Sequence, residues 1–79
     1  MDNTKVYAVA EFKERYVIET LKEVIEILKE RGYNPINQIV GYLMSGDPGY
    51  ITSYKDARKL VVSMDRAIIL ETLLKEVIK

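Results

Sequence analysis

Cysteine, histidine and tryptophan are absent from the 79 residues, and there are only two prolines and one phenylalanine. Without thiols there is no disulfide framework, no thiolate nucleophile and no cysteine-type zinc site. Without imidazole there is no side chain that ordinarily titrates near neutral pH, and no histidine-ligated metal. No apolar run approaches the length of about 18 residues that spans a bilayer. The opening MDNTKVYAVAEFKER has too short and too interrupted an apolar stretch for a secretory signal. Charge of one sign is also missing. Twelve Lys and Arg balance twelve Asp and Glu, so no large counterion-release term favours nucleic acid. These absences point to a cytoplasmic protein without catalysis, metal, cofactor or membrane anchor.

What remains is one small domain. A chain of this length buries only about 60–65% of the surface its unfolded form exposes, so a second copy or a partner would help its core. From Glu11 to Arg31 the apolar residues fall at helical spacing. Val17, Leu21, Ile25 and Leu28 form the stripe, and Ile18, Val24 and Ile27 widen it. Arg15–Glu19 and Lys22–Glu26 are expected as i,i+4 ion pairs. Phe12 and Tyr16 lie one turn apart near the start, and Gly32 suits a left-handed cap at the end. Asn34-Pro35 then reads as a cap followed by proline at the first helical position, where its missing N–H costs nothing. Ile36, Ile39, Val40 and Leu43 mark the face expected to be buried on this second helix, with Tyr42 beside it. Gly41 inside it suggests close approach of another backbone.

After Ser45-Gly46, Asp47-Pro48-Gly49 predicts a short turn. Thr52 and Ser53 are candidate caps for a third helix, and Ser53 with Asp56 resembles a capping box. A fourth helix is expected to start around Ser63–Asp65. Its apolar residues Ile68, Ile69, Leu70, Leu73, Leu74, Val77 and Ile78 occupy more than half the circumference. That is more than one such chain can cover, and it favours dimerisation through Gly41, Ile69, Leu70, Leu73, Leu74 and Val77. The expected fold is an all-α compact bundle of four to five short helices with helix-turn-helix-like packing, homodimeric. Residues 1–10 are expected to form a flexible N-terminal arm, and 11–79 a single helical domain.

The segment from Gly32 to Ile51 concentrates four glycines, both prolines, two asparagines and three tyrosines. Caps and turn formers account for many of these residues. Exposed tyrosines also suit a partner surface, because each joins a rigid apolar body to a polar tip. The candidate partner-binding residues are Tyr33, Asn34, Asn37, Gln38, Tyr42, Asp47, Tyr50 and Arg58. Gly46-Asp47-Pro48-Gly49 lacks the order of a phosphate loop, and Pro48 lacks an N–H such a loop would use. A nucleic-acid interface would rest on Lys55, Arg58, Lys59 and Arg66, interrupted by Asp56 and Asp65. This helix-turn-helix-like reading is the alternative function. Thr4, beside Asp2 and Lys5, is of the kind a Ser/Thr kinase can reach.

The run Gly32-Tyr33-Asn34-Pro35-Ile36-Asn37-Gln38-Ile39-Val40-Gly41-Tyr42, then Ser45-Gly46-Asp47-Pro48, Tyr50-Ile51 and Asp56-Ala57-Arg58, resembles the IreB family. These are small bacterial regulatory phosphoproteins, long catalogued as uncharacterised. The likeness extends from Thr4 through Glu19-Thr20-Leu21 to Asp65-Arg66 and Glu71. It implies a cytoplasmic, all-helical, non-enzymatic homodimer. It also implies phosphorylation by a membrane-anchored Ser/Thr kinase, reversal by a phosphatase, and negative regulation of envelope-linked antibiotic resistance. Of the family's two acceptor threonines, the second falls on Thr4 and the first on Met1. Tyr7 stands for the usual phenylalanine, and Thr52 for the usual proline after Tyr-Ile. Val61-Val62-Ser63 and Ala67-Ile68 replace charged residues and make the C-terminal half greasier. The partner read by the folded body is not identified by this resemblance.

Overall fold

A computed structural model describes residues 3–79, with side chains described from Phe12 onward. Among the described residues the chain is all-α. It consists of α1 (Asn3–Glu30), α2 (Pro35–Ser45), 3-10 turns at Pro48–Tyr50 and Tyr54–Asp56, α3 (Ala57–Val62) and α4 (Arg66–Ile78). The 28 residues of α1 span about 42 Å at 1.5 Å per residue, which sets the long dimension of 47 Å. α1 begins ahead of the start expected at Glu11. The segment between holds no glycine or proline and contributes Ala8 and Ala10, so nothing in it stops a helix.

α1 is the spine against which α2, α3 and α4 pack. Val17, Leu21, Val24, Ile27 and Leu28 face inward, joined by Thr20. Ile25, expected in the central stripe, is displaced to its edge and is half-buried. The other elements supply Tyr42, Ile51, Ala57, Val61, Met64 and Ile69 to this core. Thr72 is also buried, and its hydroxyl donates to the Ile68 carbonyl at 2.7 Å. Among the described residues every buried side-chain N or O atom has a hydrogen-bond partner. On the outside of α1 the expected i,i+4 pairs give way to i,i+3 geometry, Lys22 with Glu19 at 3.6 Å and Lys29 with Glu26 at 3.7 Å.

The helix ends follow local chemistry. At the end of α1, the Tyr33 N–H donates to the Leu28 carbonyl and the Gly32 N–H to the Lys29 carbonyl, with Gly32 at φ +80°. This is a Schellman cap, and it turns the chain directly into α2. Asn34 caps α2 by accepting from the Asn37 N–H at 3.1 Å, and Pro35 occupies the first helical position. At the other end Gly46 is left-handed at φ +74°. The Arg66 guanidinium donates to the Leu43 carbonyl at 3.0 Å, placing a cation at the negative end of the helix dipole.

α3 and α4 are separate helices. Asp65 caps α4, accepting from the Ala67 and Ile68 N–H groups. The Ser53–Asp56 capping box does not form. Neither side chain makes a cap bond, and it is Thr52 that accepts from the Tyr54 N–H at 3.2 Å. Lys55 and Asp56 instead adopt left-handed backbone at φ 50° and φ 61°, which disfavours a side chain by about 1–2 kcal/mol per residue.

Candidate functional site

Most of the side chains singled out between Gly32 and Arg58 are engaged within the chain. Asn34 and Asp47 are caps, and Asp47 accepts from the Gly49 N–H at 2.8 Å to start the first 3-10 turn. Gln38 donates from Nε2 to the Tyr50 carbonyl at 2.8 Å. That bond folds the turn back along α2 and lays the Tyr50 ring over Gly41. A Cβ at Gly41 would collide with this ring. Gly41, expected at a contact between copies, therefore accommodates a residue of its own chain. Tyr42, expected on a partner surface, is only 5% exposed and belongs to the core. Tyr42 is turned into the core, and Ile36, Ile39, Val40 and Leu43 of the same helix stay partly or largely exposed. Tyr33, Asn37 and Tyr50 remain exposed.

Arg58 has a defined internal role. Its Nε donates to the Ile51 carbonyl at 2.9 Å and the Pro48 carbonyl at 3.1 Å, clipping the α2–α3 connection to α3. The left-handed pair beside it is held by a second cluster. Lys55 Nζ donates to both Glu30 carboxylate oxygens at 3.0 and 3.1 Å, and the Tyr54 hydroxyl donates to Oε1 at 3.2 Å. The Arg31 guanidinium lies 4.7 Å from the centre of the Tyr54 ring. Hydrogen bonding from Lys55 lowers the Glu30 pKa below its ordinary 4.5, and the same bond raises that of Lys55 above 10.5. On α4, Lys75 pairs with Glu14 at 2.7 Å, and that hydrogen bond raises its pKa. Of the four cations proposed for nucleic acid, three are tied down by Glu30 or by carbonyls. Of the four, only the Lys59 side chain has no hydrogen bond or ion pair among the described residues.

Exposed apolar side chains gather in two regions. The first is a groove of about 210 Å³ between α1, α2 and α4, in which every lining residue is aliphatic or proline. Ile25, Ile36, Ile39, Val40, Leu43 and Leu73 are among them. Around it Ile36 is 73% exposed and Met44 83%, and the outer ridge of α4 from Leu70 through Leu74 to Val77 is exposed as well. Of the residues expected at a dimer contact, Leu70, Leu73, Leu74 and Val77 lie here. Ile69 does not, because it is fully buried against its own chain.

The second region is a cleft of about 300 Å³ where α1 meets the α3–α4 connection. Phe12, Tyr16, Val17, Met64 and Ile68 line it. Phe12 is 72% exposed, and the Tyr16 hydroxyl lies 2.9 Å from Ser63 Oγ. Tyr16, Met64 and Phe12 were legible as apolar residues, but sequence spacing does not show that they converge. At 3.6 residues per turn, Phe12 and Tyr16 sit about 100° to one side of the buried stripe of α1, and Ile18 and Ile25 about 100° to the other. The two apolar regions are therefore on opposite flanks of the spine.

Among the described residues no three Asp or Glu side chains gather into a metal-ligating group. Among the described residues no helix is long and apolar enough to cross a membrane. Two exposed apolar regions lie beside a polar set that is largely engaged within the chain. The chain belongs to the family described as the IreB regulatory phosphoprotein family, which matches residues 2–79. It is 49% identical over 75 residues to a UPF0297 protein of Ruminiclostridium cellulolyticum, covering 95% of this chain and 85% of that one. It is accordingly a small regulatory protein and not an enzyme. Thr4, the candidate phosphate acceptor, has its side chain outside the described residues.

Proposed function

We propose that the protein is a cytoplasmic signalling homodimer, phosphorylated at Thr4 by a Ser/Thr kinase and reset by a phosphatase, whose folded body docks a protein partner. Envelope stress or antibiotic resistance is the process that such a circuit serves. The observation that carries this reading is the pair of exposed apolar regions on opposite flanks of α1. Two such surfaces allow self-association on one side and a partner on the other. A chain of zero formal charge is also a sensitive background for a switch. One phosphate adds about −1.5 to −2, and no other single modification of Thr4 would change its charge as much.

The helix-turn-helix alternative loses support because Arg58 and Arg66 hold backbone carbonyls and Lys55 holds Glu30. Those groups would have to abandon their present partners to reach phosphates. Incubation of the full chain with the cognate kinase and ATP, followed by peptide mass spectrometry, tests the switch. Phosphate on Thr4 supports it, and its absence from Thr4 removes it.

A further inference from the structure

We propose that the turn from Ser53 to Asp56 is a two-state latch. Glu30 holds it in left-handed backbone, and release of that grip lets α3 grow backward to Tyr54 under a cap from Ser53. The sequence carries the signal for the second state. Ser53 and Asp56 stand at the two ends of a capping box, yet neither side chain makes a cap bond in the structure. What stands in the way is Lys55 at φ 50°, ψ 32° and Asp56 at φ 61°, ψ 21°. Each left-handed residue is disfavoured about 5–30-fold, although Asp tolerates this backbone better than Lys. Two in succession, neither of them glycine, persist only where their surroundings impose the conformation.

Those surroundings are Glu30 and the groups it gathers. Its two carboxylate oxygens take Lys55 Nζ, Oε1 also takes the Tyr54 hydroxyl, and Arg31 lies over the Tyr54 ring. The Glu30 and Lys55 side chains are about half exposed, and an exposed ion pair holds weakly. Strain and grip are therefore close to balance, and loss of one charge is enough to tip the turn. Most of its backbone hydrogen bonds are exchanged, not lost. At present the Asp56 N–H donates to the Ser53 carbonyl at 3.1 Å and the Arg58 N–H to the Thr52 carbonyl at 3.0 Å. In the helical state the Asp56 N–H donates to Ser53 Oγ, the Arg58 N–H donates to the Tyr54 carbonyl, and the Asp56 carboxylate accepts from the Ser53 N–H. Ile51 and Ala57 are fully buried, so they anchor both ends and confine the change to the residues between. Outwardly the states differ at Lys55. It is tied to α1 in the first, and in the second it stands one helical turn before Lys59. On the reading that the folded body docks a partner, an anionic group that engages both lysines binds the second state better and draws the turn into it.

The test is solution NMR of the full chain, with the sign of φ read from intraresidue HN–Hα couplings and contacts. It needs no partner, so its outcome is independent of the docking reading. In the parent, Lys55 and Asp56 should be left-handed. Glu30→Ala should convert Tyr54–Asp56 to right-handed helix in most molecules, with the signals of Val17, Leu28 and Ile69 unmoved. Lys55→Ala removes the other half of the pair and should do the same, which guards against misfolding of either variant. Adding Ser53→Ala to Glu30→Ala should lower the ratio of helical to left-handed turn about 5-fold, the worth of a cap. Adding Lys55→Gly instead should shift the turn back toward the left-handed state, because glycine adopts it without strain. Left-handed backbone that persists in both Glu30→Ala and Lys55→Ala overturns the latch. A turn that loses order in both, without helix at Tyr54–Asp56, overturns the second state.

Discussion

Replacing Arg58 by methionine separates the two roles this residue could have, a recognition contact or an internal clip. Its Nε serves the Ile51 carbonyl at 2.9 Å and the Pro48 carbonyl at 3.1 Å. Hydrogen bonds from a charged donor contribute about 1.5–3 kcal/mol when buried. Here the side chain is exposed, and the Pro48 carbonyl keeps a second donor in the Ile51 N–H at 3.0 Å. The net loss should be about 1–2 kcal/mol, arising mainly at the Ile51 carbonyl. For a domain of this size each kcal/mol moves Tm by about 4–8 °C, so the melting temperature followed by circular dichroism should fall by about 5–15 °C. Arg58→Lys retains the charge but lacks Nε and the planar geometry, and should recover less than half of the loss. A melting temperature for Arg58→Met within about 2 °C of the parent, well under the expected fall, would refute the clip. Loss of partner binding in that folded variant would then identify Arg58 as a recognition residue.

Two further outcomes follow from the turns and from the Glu30 cluster. Gly32 and Gly46 both have positive φ, but a Cβ at Gly32 meets nothing within 4 Å while one at Gly46 meets the Arg66 guanidinium at 2.8 Å. Gly32→Ala should therefore cost about 1–2 kcal/mol from backbone strain alone, and Gly46→Ala should cost more in chemical denaturation, because it also displaces Arg66 from the α2 terminus. Glu30 has a folded-state pKa below its unfolded 4.5, so its contribution is present above that pH and is lost as pH falls through the folded value. Glu30→Gln should flatten the stability profile below about pH 4.5, and an unchanged acid limb would show that the Lys55 pair contributes nothing there. Lys55 gives the opposite limb, with its contribution lost as pH rises through a folded-state value above 10.5.

The parts of the fold that were legible in sequence are those set by neighbours in the chain. The stripe through Val17, Leu21 and Leu28, the left-handed Gly32, the Asn34-Pro35 start of α2 and the greasy α4 all follow from periodicity and capping. Residues whose role depends on distant elements were less legible. Gly41 does mark a close approach, but the approaching group is the Tyr50 ring of the same chain. Tyr42 and Ile69 are turned inward by the way α2 and α4 settle on α1, which apolar spacing alone does not fix. Lys55 and Asp56 carry no glycine signal, because their left-handed backbone is stabilised by Glu30, twenty-five residues before Lys55. Arg58 reads as a surface cation until its carbonyl partners are seen. The second cleft was hidden for the same reason, since Phe12 and Met64 meet only once α3 and α4 have packed against α1.

If the exposed apolar faces are surfaces for association, solution mass reports it most directly. Sedimentation equilibrium of the unmodified full chain, at tens of micromolar and near-physiological salt, should give about twice the chain mass of 9.1 kDa. A single species at 9.1 kDa throughout that range would contradict it.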